Sequence, residues 1–249
     1  MNIFLTYEKP EREQEILNHI IKSNNIAGLV IFSSNNNPFF FNAYLKNLNA
    51  PCVFVDRLLP YLTNANFVTV DNYGGAFMLG KQLISKGVKN IACISMLKHN
   101  HLSNMEDRIN GFRDSHLHHN NLHCFRIDID YHNTENDLEN ILQEWEKDNS
   151  FPDAVFACNH LIISAYLSLL SKNKKWQSLT KKQILSCFDD LPYFDWINKP
   201  IISVEQPIPE IAFYCAEILL KRIENPQLLQ QYSNIILPVK LKDRTTTAK

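Results

Sequence analysis

The sequence has no long hydrophobic run, no closely spaced pair of cysteines and no surplus of charge of either sign. No apolar run approaches the roughly 20 residues that a membrane-spanning helix needs, and the start has neither the basic residues nor the apolar length of a signal peptide. The net charge is -1, with 26 acidic and 25 basic residues mixed along the chain, so no basic face for DNA phosphates is predicted. These absences predict a cytoplasmic globular protein that binds neither membranes nor DNA through these residues.

The chain also has little that is typical of a catalytic or metal centre. Four histidines, His116, His118, His119 and His123, lie close together, but their spacing matches no common zinc site and favours a solvated helix end. Gly74-Gly75 lacks the flanking residues of a phosphate-binding loop. The cysteines, predicted to be reduced core residues because they stand singly in apolar surroundings, are Cys52, Cys93, Cys124, Cys158, Cys187 and Cys215. We therefore predict no metal, no cofactor and no enzymatic activity.

Short runs rich in Ile, Val and Phe alternate along the chain with segments of helical periodicity. This alternation predicts an α/β fold with parallel sheets flanked by helices. The predicted strands are 3–5, 28–32, 52–55, 67–70, 91–95, 125–129, 154–157, 184–187 and 201–204, with a last extended segment at 235–241. The predicted helices are 11–23, 39–48, one between Asp71 and Gly87, 106–116, 137–147, 161–170 and 208–223. Residues 172–182 are predicted to form a polar loop.

The last predicted helix is amphipathic. From Ile208 onward its apolar residues recur at spacings of three and four, which predicts one buried stripe along the helix. The residues of this stripe are Ile211, Ala212, Cys215, Ala216, Leu219, Leu220 and Ile223.

Polar side chains follow several predicted strands at the point where each strand ends. Asp56, Asn159, Asp189 and Gln206 occupy such positions, and groups past the carboxyl ends of strands line the ligand crevice of open α/β sheets. Asp190 should point away from Asp189, because neighbours in extended chain face opposite sides, so the two are poorly placed as a catalytic acid/base pair. Each residue has a structural alternative, such as a helix cap for Asn159 or a loop cap for Asp189. The pattern indicates binding rather than catalysis.

Several segments resemble, in order and spacing, the effector-binding core of the lactose-repressor/galactose-repressor (LacI/GalR) family of bacterial transcription regulators. The match extends over nearly the whole chain. The segments are Val55-Asp56-Arg57, Val70-Asp71-Asn72, Arg108-Ile109-Asn110-Gly111-Phe112, the run 152–159, Phe188-Asp189-Asp190-Leu191-Pro192, Gln206-Pro207 and Leu237-Pro238.

The resemblance implies a two-lobed periplasmic-binding-protein-like fold with three crossovers and an effector held between the lobes. The N-terminal lobe is expected at 1–71 and 206–236, and the C-terminal lobe at 72–205 and 237–249. The crossovers are expected near Asp71-Asn72, Glu205-Gln206 and Leu237-Pro238. Closure of the hinge around the effector is the expected motion.

The resemblance also adds two residues to the candidate ligand-binding set. Arg108 is expected to reach the cleft, where its fork of donors suits paired hydroxyls or a carboxylate; the alternative is a surface arginine on a helix. Tyr131 is expected to place its ring against the effector, and the alternative is an exposed loop tyrosine. The predicted ligand-binding residues are thus Asp56, Arg108, Tyr131, Asn159, Asp189 and Gln206.

The sequence departs from the family pattern in two ways. The DNA-reading headpiece and the first strand and helix of the core have no counterpart in it, so DNA contact is expected only through a headpiece that this sequence does not contain. Cys187 stands where glycine is usual, and His160 follows Asn159 where aspartate is usual. These two changes put the detail of the pocket, and hence the effector, outside what the resemblance implies.

The predicted function is that of the effector-sensing domain of a LacI-type regulator, active as a homodimer, which binds a small sugar or related polar metabolite. A sugar is favoured over a nucleobase. The alternatives are a stand-alone solute-binding protein and a degenerate remnant that binds nothing. The absence of a recognisable export signal and the single cysteines argue against the solute-binding protein.

Overall fold

The computed structural model describes residues 1–23, 25–34, 37–59, 62–98, 102–229 and 231–245. The chain divides into two compact units. The first unit comprises Met1–Val70 and Pro207–Leu237, and the second comprises Asp71–Gln206 and Pro238–Lys249. The chain passes from one unit to the other three times, and each border lies one residue from the predicted lobe border. That the two units act as lobes which close around an effector stays a prediction.

The described residues form helices and strands in alternation, which confirms the predicted α/β class. The helices are α1 (Pro10–Ser23), α2 (Pro38–Asn47), α3 (Asn72–Ser85), α4 (Ser103–Ser115), α5 (Thr134–Lys147), α6 (His160–Lys172), α7 (Lys174–Leu179) and α8 (Ile208–Glu224). The strands are β1 (Leu29–Ile31), β2 (Cys52–Val55), β3 (Asn66–Val70), β4 (Asn90–Ser95), β5 (His123–Asp128), β6 (Ala154–Ala157), β7 (Ile184–Phe188), β8 (Ile201–Glu205), β9 (Asn234–Leu237) and β10 (Lys240–Asp243).

The first unit contains a parallel sheet of four strands in the order β1-β2-β3-β9. Its core forms where α1 and α2 bury apolar side chains against the sheet, with Leu17, Phe41 and Phe54 at its centre. The rings of Phe41 and Phe54 meet edge to face at 5.1 Å, a geometry that aromatic pairs favour.

The second unit contains a six-stranded sheet in the order β10-β8-β7-β6-β4-β5. All pairs are parallel except β10 with β8, which is antiparallel. β6 is buried at every residue, which explains its unbroken apolar sequence, since strands covered on both faces need not alternate. α3 and α4 approach each other closely at Gly111, where a Cβ atom would lie 2.1 Å from the carbonyl oxygen of Tyr73.

Two of the predictions about individual elements are wrong. Residues 3–5 form no strand, and their side chains are exposed; no described strand pairs with them. The predicted loop at 172–182 contains α7, which Asn173 caps by accepting a hydrogen bond from the Trp176 amide. Trp176 is buried there. The segment therefore forms a helix, although most of its sequence is polar, and it packs through the side chain of Trp176.

The predicted buried stripe of α8 is only partly correct. Cys215 is buried, but Ile208, Leu220 and Ile223 are exposed. The helical period is right, but among the described residues only the side of α8 that packs on β2, β3 and β9 is buried. Ile218, which is not part of the predicted stripe, is buried on that side.

Within the described ranges, no helix combines the length and the apolar character needed to cross a lipid bilayer.

Candidate functional site

Three neighbouring parallel strands of the second unit end at one edge of its sheet. β6 pairs with β7 and β7 pairs with β8 in parallel register, so the residues that follow these strands emerge side by side. Asn159 and His160 come after β6, Asp189 after β7 and Gln206 after β8. The structure therefore brings Asn159, Asp189 and Gln206, all predicted ligand-binding residues, to the same edge.

The Asp189 carboxylate is the centre of this arrangement. Its Oδ2 atom accepts hydrogen bonds from the backbone N–H of His160 at 2.9 Å and from the His160 ring nitrogen Nδ1 at 3.0 Å. Its Oδ1 atom accepts one from Nε2 of Gln206 at 2.6 Å. The carboxylate thus links the ends of all three strands.

The backbone and the charge of Asp189 are both unusual. Its φ of 156° is a value that L residues rarely adopt, and such conformations are found most often at functional sites. Burial by itself would raise the pKa of Asp189, but the hydrogen bond from His160, the charge of Arg108 and the hydrogen bond from Gln206 outweigh burial and lower that pKa. The side chain is therefore an ionised acceptor near neutral pH.

Asn159 caps helix α6. Its Oδ1 atom accepts a hydrogen bond from the backbone N–H of Ile162 at 3.1 Å, and its Nδ2 atom donates to the sulfur of Met96 at 3.3 Å. The alternative stated for this residue, a helix cap, is therefore observed. Its contact with a ligand stays a prediction.

Arg108 lies beneath the same strand ends and is only 2% exposed. Its Nε donates to Asn72 Oδ1 and its Nη1 to the carbonyl oxygen of Cys158, both at 2.8 Å. Its guanidinium lies 3.9 Å from the ring centre of Phe188. The alternative of a surface arginine is wrong, because this side chain joins the residues that precede Asn159 and Asp189. Its direct contact with a ligand stays a prediction.

The remaining two predicted residues follow other strands, Tyr131 after β5 and Asp56 after β2. Tyr131 begins a short 3₁₀ helix after β5 and is half-buried, with its ring 5.0 Å from that of His132. Asp56 belongs to the first unit, where it follows β2 with a φ of 72°, and its carbonyl oxygen accepts a hydrogen bond from Thr69 at 2.7 Å. The ligand contacts of both residues stay predictions.

Asp190 points away from Asp189, as predicted. Its two carboxylate oxygens accept hydrogen bonds from Arg244, Lys242 and Ser203. Burial raises the pKa of Asp190, but the hydrogen bonds from these three residues prevail and lower it. Asp190 therefore binds Lys242 of the C-terminal strand β10, whereas Asp189 binds His160 and Gln206 at the strand ends.

The sequence reasoning missed His160 as a member of the site. It named this residue only as a departure from the family pattern, although a histidine directly after a capping asparagine must lie at the same strand end. It also missed Asn72 and Phe188 as supports of Arg108. No periodicity marks these contacts, because they depend on how side chains from different elements meet.

The strand ends of the first unit carry a second set of polar contacts. Arg57 forms an ion pair with Glu8 at 2.7 Å and donates to the carbonyl oxygen of Ser33 at 2.6 Å. Glu13 is buried, and its Oε2 atom accepts hydrogen bonds from the backbone N–H and the hydroxyl of Ser34, both at 2.8 Å. These contacts tie the segment before α1 to the ends of β1 and β2.

Within the part of the chain that the structure describes, no three His, Cys, Asp or Glu side chains are grouped as metal ligands. His116 packs against the ring of Phe112, and His118, His119 and His123 are exposed. All six cysteines are free, and five are buried. Burial raises the pKa of Cys52 and Cys187, so these thiols are protonated and unreactive near neutral pH.

Comparison with known protein sequences identifies a matching family and two related proteins. Residues 81–247 match the family described as a periplasmic binding protein-like domain. The chain is 25% identical over 209 residues to a probable HTH-type transcriptional regulator, EndR, of Paenibacillus polymyxa. This match covers 81% of this chain and 58% of EndR. It is 24% identical over 243 residues to the ribose operon repressor of Halalkalibacterium halodurans, covering 97% of this chain and 68% of the repressor. The chain thus spans little more than half the length of EndR.

Solved structures share the fold at low sequence identity. A LacI family transcriptional regulator from Enterococcus faecium with bound ribose has a TM-score of 0.77 at 22% identity, covering 93% of this chain and 82% of that one. The Cra regulator of Pseudomonas putida in complex with fructose 1-phosphate has a TM-score of 0.80 at 18% identity. The match covers 95% of this chain and 84% of the Cra chain. These similarities confirm the predicted fold.

Proposed function

Because the chain belongs to the family of periplasmic binding protein-like domains, we propose that its second unit binds a small polyhydroxy effector at the strand ends around Asp189. The proposed role is effector sensing within a LacI-type transcription regulator, with a sugar as the effector. The names of the relatives support this role, since they are regulators rather than enzymes and one is a ribose operon repressor. Two structures with the same fold hold ribose and fructose 1-phosphate.

The observation that carries the proposal is the ionised Asp189 at the edge of three parallel strands. An ionised carboxylate only accepts hydrogen bonds, and the hydroxyl groups of a sugar are donors that suit it. Gln206 offers an amide that both donates and accepts, directly beside Asp189. Arg108 and Phe188 beneath them hold the strand ends in fixed positions, which limits the entropy cost of binding.

Asp56 and Tyr131 are further parts of the proposal. The aromatic face of Tyr131 suits the apolar face of a sugar ring, and Asp56 is a second carboxylate that follows a parallel strand. We also propose that the regulator works as a homodimer and that a segment other than these residues reads DNA. The low share of EndR that the chain covers, 58%, supports this division of roles.

A calorimetric titration of the purified chain tests the proposed function. D-ribose, D-xylulose and fructose 1-phosphate serve as ligands, with adenine as the nucleobase comparison. We expect at least one sugar to bind and adenine not to bind. In Asp189→Asn the charge-assisted hydrogen bonds are lost, so affinity should fall roughly ten- to hundredfold, which corresponds to about 1.5–3 kcal/mol.

Asp148→Asn is the matched control, because Asp148 is an exposed aspartate at the end of α5 in the same unit. It should bind as tightly as the wild type. Circular dichroism checks that each variant is folded. Absence of binding by all three sugars, or equal affinities for the wild type and Asp189→Asn, would contradict the proposed function.

A further inference from the structure

The three hydrogen bonds to Asp189 leave little room for a ligand. An ionised carboxylate has about four acceptor positions, and His160 and Gln206 already supply two donors to Oδ2 and one to Oδ1. A sugar that places two hydroxyls on Asp189 must therefore replace one of these donors. The ligand is expected to replace the donor whose departure costs the least free energy.

The His160 ring is that donor. Its side chain is 51% exposed, so the ring can rotate into water without leaving a cavity. The backbone N–H of His160 stays in place, because it belongs to the first turn of α6, which the Asn159 cap fixes. Asp189 thus keeps one bond to His160 when it loses the other.

We propose that the His160 ring competes with the effector for Asp189, so that the charge of the ring sets how tightly the second unit holds a polyhydroxy ligand. This inference rests on the proposed function and adds a residue that determines affinity. A protonated imidazole holds the carboxylate through a charge-assisted bond. A neutral imidazole holds it through an ordinary hydrogen bond that sugar hydroxyls replace more readily.

The groups around His160 determine the direction of the pH effect. Within the described residues, Asp189 after β7 and Arg108 of α4 are the charged groups that act on the ring, and the hydrogen bond to Asp189 outweighs burial and raises the pKa of His160. The partial positive charge at the start of α6 and the charge of Arg108 oppose protonation. Ser164, which donates to the His160 carbonyl, contacts the hydroxyl of Tyr193.

The sign follows from linkage between binding and protonation. In the free protein the pKa of His160 is raised; in the complex, where the ring has left Asp189, this increase is lost. Binding therefore releases a proton when the pH lies between the two pKa values. Affinity weakens as the pH falls through the raised pKa and stops changing below the ordinary value of about 6.5.

Calorimetric titration at about pH 8 and about pH 5.5 tests the competition. D-ribose and D-xylulose are the probes, because neither sugar titrates in this range and any pH effect comes from the protein. We expect the wild-type Kd to be at least about threefold higher at the lower pH. At a pH just above 6.5, between the two pKa values, titrations in buffers of different ionisation enthalpy should show that a proton is released on binding.

His160→Gln keeps a neutral donor near Asp189 but carries no charge, so its Kd should be nearly the same at both pH values and below the wild-type Kd at the lower pH. His19→Gln alters an exposed histidine of the first unit and should keep the wild-type pH dependence. His160→Asn replaces His160→Gln if circular dichroism shows that the latter is unfolded.

The outcomes separate the two proposals. A sugar that binds the wild type with a pH-independent Kd, or an unchanged pH dependence in the neutral variant, overturns the competition and leaves the proposed function standing. Tighter binding at the lower pH also overturns it, because the ring would then assist the ligand. Absence of binding by both probes and by fructose 1-phosphate overturns the proposed function and this inference together.

Discussion

At the scale of single residues, buried polar side chains hold the strand ends of the second unit together. Arg108 contacts three segments that are distant in sequence, through Asn72, Cys158 and Phe188. Lysine could not reproduce this set, because its ammonium is a point charge without the planar fork of a guanidinium. The rigid placement of Asp189 depends on these contacts, since Phe188 is its direct neighbour.

Arg108→Lys should therefore lower the free energy of unfolding by about 2 kcal/mol or more, the cost of hydrogen bonds to a charged group left imperfectly made in a buried site. Urea unfolding followed by circular dichroism measures this change. Arg113→Lys is the control, because Arg113 lies on the same helix with a side chain that is 59% exposed, and it should change stability by less than about 0.5 kcal/mol. Equal effects of the two substitutions would contradict the structural role of Arg108.

At the scale of elements, four of the described helices begin where asparagine or aspartate side chains accept hydrogen bonds from first-turn amides. Asn37 caps α2, Asp71 caps α3, Asn159 caps α6 and Asn173 caps α7. α3 ends at Ser85, and Gly87 shortly after it has a φ of +76°, which glycine adopts without strain. The cap of α6 also holds the backbone N–H of His160 towards Asp189, so a local capping interaction contributes to the geometry of the candidate site.

Substitutions at Asn159 should separate its two roles. Asn159→Ala removes the cap and should cost about 1 kcal/mol of stability, whereas Asn159→Ser keeps a capping oxygen and should cost only a few tenths. Thermal unfolding of the two variants measures the difference. If Asn159 also contacts the effector, Asn159→Ser should lose affinity for the sugar while it stays nearly as stable as the wild type. Equal loss of stability in both variants would contradict the capping role.

At the scale of the whole molecule, central strands are covered more completely than edge strands. β6 and β7 lie inside a six-stranded sheet and are almost entirely buried. β1 and β9 are the edge strands of the four-stranded sheet and are partly exposed. Because the stability of local opening follows burial and hydrogen bonding, β6 and β7 are expected to open less readily than β1 and β9.

Hydrogen exchange followed by mass spectrometry tests this expectation. Peptides that contain β6 and β7 should exchange most slowly, and those that contain β1 and β9 should exchange faster by at least about tenfold, since each 1.4 kcal/mol of opening free energy changes the rate by a factor of ten. Peptides from α3 and α4, which pack closely at Gly111, serve as an internal reference. Slower exchange in β1 than in β6 would contradict this order of stability.

Local sequence patterns predicted the α/β class, most element positions, the alternative of a helix cap at Asn159 and the divergence of Asp189 from Asp190. These features follow from periodicity and from local hydrogen bonding, which neighbouring residues decide. The resemblance to a known family added the expected fold and two candidate residues, Arg108 and Tyr131.

Only the tertiary structure decided which groups meet. The contact of His160 with Asp189, the burial of Arg108, the helix around Trp176 and the exposed side of α8 depend on strand register and on packing between segments far apart in sequence. No local pattern encodes such contacts, because each depends on where the rest of the chain places a partner.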